Sequence, residues 1–397
     1  MFNNTKYPRK KGGGYFSKKK ISKKSKGLPK ALNWQLFVKK AIPTEERDFV
    51  SVRKFKDFGF HPRLNKTLDY KGFVFPTEIQ EKTLDYSMDG RDILGIADTG
   101  TGKTGAFLIP VIDRLLKSKE RFQTMVVVPT RELANQVEEE FISLSHSMRL
   151  FSVCLTGGTS VGRNIKRLNM FNHIIIGTPG RLIDMVERDA LDLSVIEVLI
   201  LDEFDRMLDM GFVDDVKFLM SQMKSRKQTM LFSATIDKKL KPLIDQILDN
   251  PFEVMVGTGE KASENVEQDI VKIERGENKF DRLLGMMNQP DFNKVLIFTE
   301  TKKSVDDLHY DLIKAGIKTD LIHGDKTQRS REMALVKFKE GKIRALVATD
   351  VAARGLDIKG VSHVINYEAP KDYQSYVHRI GRTGRAGKKG YAYTFVE

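Results

Sequence analysis

The sequence is poor in cysteine, with one thiol, Cys154, among 397 residues. A single thiol excludes an internal disulfide framework and fits a reducing compartment. Within its apolar stretch Cys154 reads as a packed strand residue rather than a nucleophile. Long hydrophobic runs are missing as well: no stretch approaches the roughly 20 apolar residues of a membrane span, and the first thirty residues lack the apolar core of a secretory signal. The expectation is a soluble, cytoplasmic, monomeric protein with no membrane partner. Acidic residues are absent from residues 1–40, which hold thirteen Lys and Arg. The whole chain has a formal net charge of +14, so nearly all of it belongs to this arm.

Basic clusters such as Arg9-Lys10-Lys11 and Lys18-Lys19-Lys20 surround glycines and offer nothing to a core, so residues 1–45 read as a largely disordered basic tail. Three uses remain open for it: an electrostatic arm for nucleic acid, a solubilising tail, or a targeting signal. Residues 31–43, with Trp34, Leu36, Phe37 and Val38, are read as a segment that docks at an unspecified place.

What the chain does have begins at Ala97-Asp98-Thr99-Gly100-Thr101-Gly102-Lys103-Thr104. The glycine spacing and the Lys-Thr ending are those of a phosphate-binding loop, in which backbone N–H groups face phosphate oxygens, Lys103 reaches the outer phosphates and the Thr104 hydroxyl can hold Mg²⁺. A short strand at 92–96 precedes it, and a helix whose N-terminus faces the anion follows. Upstream, Phe58, Leu64, Leu68 and Phe73 are spaced as on a helix and its flanks, and Gln80 can offer a donor and an acceptor to one adenine edge.

Apolar runs at 124–129, 151–156, 173–177, 198–202 and 229–233 alternate with helical patterns, which predicts a parallel α/β sheet. The fourth run ends in Asp202-Glu203-Phe204-Asp205, and carboxylates at the end of a buried strand lie where open α/β sheets bind ligands. Asp202 suits a metal and Glu203 an attacking water. After 257–264 the order repeats: runs at 295–299, 320–324 and 345–349 parallel those at 126–130, 152–157 and 174–178, without a second phosphate loop. That half ends in His378-Arg379-Ile380-Gly381-Arg382-Thr383-Gly384-Arg385, whose glycine-interrupted arginines suit phosphate contacts.

In their order these motifs resemble the DEAD-box RNA helicases of helicase superfamily 2, over residues 55–397. Residues 72–80 resemble the Q motif with Phe55 as its upstream aromatic, 97–104 motif I, 129–134 motif Ia, Gly157-Gly158 the GG pair, and 178–181 motif Ib. Residues 202–205 stand at motif II, 233–235 at III, 298–299 at IV, Gln328 with Arg331 at IVa, 349–357 at V and 378–385 at VI. The resemblance implies two tandem RecA-like domains, each a parallel sheet flanked by helices, at 46–256 and 269–397 with a linker at 257–268.

It also implies ATP-dependent RNA unwinding or remodelling of RNA–protein complexes, with ATP and Mg²⁺ as cofactors, RNA held without sequence preference through its backbone, and ribonucleoprotein partners. An ATP-gated RNA clamp and a DNA helicase are the alternatives. By the same resemblance Phe55, Phe73, Gln80, Thr99, Gly100, Thr101, Gly102, Lys103, Thr104 and Asp357 bind ATP, and Thr104 with Asp202 holds the metal. Lys103, Asp202, Glu203, Arg382 and Arg385 are catalytic; Asp205, Ser233, Thr235 and His378 couple the domains. RNA lies across Thr130, Arg131, Gly158, Thr178, Arg181, Thr299, Gln328, Arg331, Thr349 and Arg354. Phe204 replaces the family's Ala, so the packing behind the acids must admit a ring. Asp98 stands where Gln is usual, Glu78 where Pro is frequent and Glu368 where Asp is frequent, and Ala386 offers no aromatic to stack on adenine.

Overall fold

The structure, a computed structural model, describes residues 37–41, 49–98, 100–118, 120–236, 240–257, 265–353, 360–384 and 389–396. The arm at 1–36, Thr99, Arg354, Asp357, Arg385 and Ala386 lie outside the described residues. Short β-branched runs become fully buried strands: Ile174–Gly177 and Val198–Leu201 are covered along their whole length, as befits strands with helices on both faces. Alternate side chains feed opposite cores. Val126, Ile176 and Ile200 join one cluster, while Met125, Ile175 and Leu199 join the other.

The first sheet contains β1 (Ile93–Ala97), β2 (Thr124–Val127), β3 (Ser152–Leu155), β4 (Ile174–Gly177), β5 (Val198–Leu201), β6 (Gln228–Ser233) and β7 (Phe252–Val256), in the order β3-β4-β2-β5-β6-β1-β7. The second contains β8 (Val266–Lys272), β9 (Val295–Thr299), β10 (Thr319–Ile322), β11 (Ala345–Thr349), β12 (His363–Asn366) and β13 (Gly390–Val396), in the order β10-β11-β9-β12-β13-β8. All paired strands in both sheets run parallel. These are two RecA-like α/β domains. The repeat visible in the sequence therefore extends to six strands, which take the same spatial order in both sheets. The first sheet adds β7 outside β1.

Differences from the sequence expectation fall at the β7 and β8 edges and in the interior strands β12 and β13. β8 begins at Val266, inside the stretch read as linker, and β7, β8, β12 and β13 were not anticipated. β7 and β8 mix exposed residues such as Glu253, Met255 and Asp269 with buried ones, so they lack the continuous apolar run that marks a central strand. Cys154 is a buried β3 residue, and burial pushes its thiol up to about 12. Phe204 lies fully buried in the cluster beneath the sheet, among neighbours that include Leu201 and Met207, so the ring has its space. No described helix is long and apolar enough to cross a membrane.

Candidate active site

Strand order assembles the site. β5, β6 and β1 are neighbours, with Ile96 opposite Ser233 and Leu201 opposite Leu231. The segments leaving their C-terminal ends, Asp202–Asp205, Ser233–Thr235 and the glycine-rich loop, consequently share one rim, where parallel sheets present ligand sites. The loop runs into the helix Lys103–Lys117, whose first N–H groups have no acceptor within the helix. Gly102 has φ 97°, and a Cβ there would stand 2.6 Å from Thr77 Oγ1, so conformation and space both demand glycine.

Gln80 ties the upstream segment to this loop. Its Oε1 accepts from the Thr77 N–H at 2.9 Å and its Nε2 donates to the Gly102 carbonyl at 3.0 Å. Of the aromatic pair, Phe55 is buried in the core and Phe73 is partly exposed, with ring centroids 6.3 Å apart. Lys103 is buried, yet its Nζ has no hydrogen-bond partner. An unpaired buried ammonium is costly unless an anion completes it. Asp98 is half-buried; burial raises its carboxyl and Lys103 opposes the rise.

Burial pushes the Asp202 carboxyl up to about 6, with Glu203 and Asp205 adding to the rise and Lys103 opposing it. Glu203 is buried too, but Arg206, Lys103 and Arg382 outweigh burial and hold it below the usual range. It also sits at φ 52°, ψ 51°, a left-handed conformation uncommon outside glycine and found at functional sites. Arg206 is ion-paired with Glu203, an interaction that the sequence reading missed. Asp205 accepts from the Ala234 N–H at 3.3 Å and from Thr235 Oγ1 at 3.2 Å, and Ser233 Oγ donates to the Thr235 carbonyl at 2.8 Å. Three of the four residues expected to couple the domains thus form one network. His378 lies elsewhere, on the helix Tyr373–Ile380, where its carbonyl accepts from Arg382 Nε at 3.2 Å.

In the second domain Arg379 is fully engaged: it makes two bonds to Asp350, at 2.6 and 2.7 Å, and one each to Asn366 Oδ1 and the Glu368 carbonyl. Arg382 is buried and close enough for its charge to act on Glu203 in the other domain. The fit to a Mg²⁺-nucleotide follows from the unpartnered Lys103 ammonium and from an Asp202 carboxyl that burial leaves short of positive charge.

The expected RNA residues leave adjacent strands in each domain: β3-β4-β2 for Gly158, Thr178, Thr130 and Arg131, and β10-β11-β9 for Gln328, Arg331, Thr349 and Thr299. Thr130 and Thr178 cap the helices Arg131–Leu144 and Pro179–Glu187, whose N-termini favour anions. Gly158 has φ 79°, and any Cβ would collide with the Arg131 guanidinium. Arg181 is turned inward, donating twice to the Thr159 carbonyl at 3.1 Å and facing Asp184 at 3.4 Å. Thr299 is buried. Arg331 faces Glu132 of the first domain at 2.9 Å, while Asn135 donates to Glu332 at 3.1 Å. This pairing across the domains has no local sequence signal.

A model described as DEAD/DEAH box helicase matches residues 77–243, and one for the helicase conserved C-terminal domain matches residues 278–387. The chain is 43% identical over 346 residues to the ATP-dependent RNA helicase CshA of Listeria monocytogenes, covering 87% of this chain and 66% of the relative. It is 42% identical over 342 residues to the DEAD-box ATP-dependent RNA helicase CshA of Bacillus subtilis, covering 86% of this chain and 69% of the relative.

The chain belongs to the DEAD-box helicase family.

It spans about two thirds of the length of these relatives. Among solved DEAD-box structures, S. cerevisiae Dbp5 bound to RNA and ADP BeF3 superposes with a TM-score of 0.78 at 31% identity, covering 87% of this chain and 89% of that one.

Proposed function

We propose that this DEAD-box protein is an RNA-stimulated ATPase that hydrolyses ATP to ADP and phosphate and, by closing its two domains, unwinds short RNA duplexes locally or remodels RNA–protein complexes. One observation carries the reading: a buried, unpartnered Lys103 ammonium lies with Asp202 and Glu203 in the first domain, within electrostatic reach of Arg382 from the second. The family membership and the order of the motifs support it.

On this reading the glycine-rich loop, from Thr99 through Thr104, cradles the phosphates, with Gln80 and the open Phe73 ring on adenine and Phe55 behind that ring. Thr104 and Asp202 are the donors for Mg²⁺, which when bound spreads the phosphate charge. Glu203 orients the attacking water and accepts its proton. Arg382, with Arg385, acts on the charge that builds in the transition state. Asp357 contacts ribose, while Asp205, Ser233, Thr235 and His378 transmit closure.

The RNA backbone runs across the two rows of strand ends, so sequence selectivity is low. The Arg331–Glu132 pairing gives Arg331 a part in closure beside any contact with RNA. The first domain extends to β7 and the second starts with β8, the basic arm adds phosphate contacts, and the protein works in the cytoplasm.

The deciding measurement is ATP hydrolysis with and without single-stranded RNA. At least tenfold stimulation is expected, and no stimulation would sink the proposal. Competing DNA strands distinguish a DNA helicase, and release of a labelled strand from a short duplex distinguishes a clamp. For the arm, deletion of residues 1–33 should flatten the slope of log affinity against log salt. An unchanged slope would mean that the arm does not engage RNA.

A further inference from the structure

The outer edge of β1 is covered by β7, whereas the equivalent outer edge of the second sheet belongs to β8. A bare strand edge exposes unpaired N–H and C=O groups. Part of this edge is covered from the far end of the chain. Lys39 donates to the Gln268 carbonyl at 3.0 Å and accepts from the Gln268 N–H at 2.8 Å, forming an antiparallel bridge. Two residues earlier, Phe37 is fully buried: its ring meets Tyr376 edge-on at 4.2 Å between centroids and Tyr373 at 6.4 Å. Val38, between them, is half exposed; Phe37 lies in a 3₁₀ turn and Lys39 makes the bridge.

These contacts form a closed circuit. The Tyr376 hydroxyl donates to Gln268 Oε1 at 2.9 Å, so the residue paired with Lys39 through its backbone also holds Tyr376 through its side chain. Tyr376 is fully buried and lies two residues before His378 on the helix Tyr373–Ile380, from whose end Arg382 projects. Phe37 and Lys39 lie outside both matched helicase models, which cover 77–243 and 278–387.

We propose that Phe37–Lys39 is an intramolecular strap that covers part of the edge of the second sheet and acts as a positioning element for the Tyr373–Ile380 helix and, through it, for Arg382. The surface made by the β8 edge, Tyr373 and Tyr376 takes a short segment with an aromatic anchor and one bridge residue, and its occupant is this chain's own N-terminal stretch. Strand addition of this kind gets affinity from main-chain hydrogen bonds and selectivity from a side-chain pocket. The strap also ties the chain that follows the basic arm to the second domain, next to the helix that precedes Arg382. The effect on turnover rests on the role given above to Arg382; an amide-exchange readout does not, and so separates failure of the two.

The test is Phe37→Ala in the full chain, with Phe37→Leu as the conservative variant. Expected are a roughly tenfold lower kcat for RNA-stimulated ATP hydrolysis, since small displacements of positioned groups are costly, unchanged nucleotide affinity without RNA, and recovery of most of the rate by Leu. Amide exchange should speed up at Gln268 and across 373–380 but not in the first domain. Should Phe37→Ala not fold, Lys39→Pro removes the donor of one bridge bond without opening the core and is read in the same ways. Protected amides at Gln268 and 373–380 in the variants would overturn the strap. Lost protection there with kcat within twofold of wild type, in an enzyme where Arg382→Ala is slow, would overturn the positioning role. Equal losses of kcat and of RNA-free nucleotide affinity would overturn it too, since they mean general destabilisation.

Discussion

The two sheets carry six strands in the same order but end differently. In the first, β1 runs into a glycine-rich loop and is flanked by β7; in the second, the equivalent strand β8 leads to no such loop, and among the described residues its edge meets a bridge from Lys39. Duplication has therefore kept the scaffold and divided the work. The first domain holds the groups proposed to grip a nucleotide, pre-tied by bonds such as Gln80 to Gly102 and Asp205 to Thr235. The second offers charge from its arginines: Arg379 is locked by Asp350, and the charge of Arg382 helps to hold the Glu203 carboxyl low. On the proposed reading, one half binds and the other completes the site on closure.

Four measurements press on that division. Lys103→Ala should have the largest effect, lowering turnover by roughly a thousandfold and weakening nucleotide binding with or without RNA, because the phosphates lose their buried counter-charge. Near wild-type turnover at saturating ATP and RNA would break the comparison. Arg382→Ala should slow RNA-stimulated turnover about a hundredfold while RNA-free nucleotide affinity stays within twofold. A large loss of that affinity would make Arg382 a ground-state contact and blur the two roles.

A double-mutant cycle on Glu132→Gln and Arg331→Gln, read as RNA affinity with a non-hydrolysable ATP analogue, should give a coupling of about 1–2 kcal/mol for the pair joining the domains. Additive effects would mean that Arg331 serves RNA alone. The smallest expected change is in the stability of the nucleotide-free protein. Asp202 is raised from 3.8 to about 6, so the folded state holds a proton there that the unfolded state has released. Its contribution to stability is present at low pH and lost as pH rises through about 6. Wild type should therefore lose stability relative to Asp202→Asn between pH 4 and 8, by a margin on the order of 2–3 kcal/mol in urea unfolding. A pH-independent difference would show that the carboxyl is not so perturbed.

Central strands were legible because burial on both faces writes itself as an unbroken apolar run. Val295–Thr299 and Ala345–Thr349 begin and end where the sequence pattern places them. β7 and β8 were not, since an edge strand that shows one face to water interleaves polar residues and lacks that mark; the interior strands β12 and β13 escaped because His363, Asn366 and Thr394 break their apolar runs. At the site, the glycine spacing and the acidic triplet could be read because close approach to phosphate restricts residue type. The Arg331–Glu132 contact could not, because two charged residues far apart in sequence say nothing of each other until the domains are placed; the Arg206–Glu203 pair, at i,i+3 spacing, carried a local signal that went unread. Phe37 belongs to the apolar segment at 31–43, which the sequence marks for docking without saying where. Its partner Tyr376 lies more than three hundred positions away, beyond the reach of any local pattern.

The buried thiol of Cys154 has a practical consequence. Covered by its strand and protonated at neutral pH, with its titration pushed up to about 12, it is a poor target for maleimides. The native chain is in effect a cysteine-free background for labelling. Lys217 on the helix Val213–Gln222 and Asp307 on the helix Lys302–Lys314 are exposed, one in each domain. Changed to cysteine together, they would carry a donor and an acceptor dye while Cys154 stays dark, and each cycle of domain closure would register as a change in energy transfer within a single molecule.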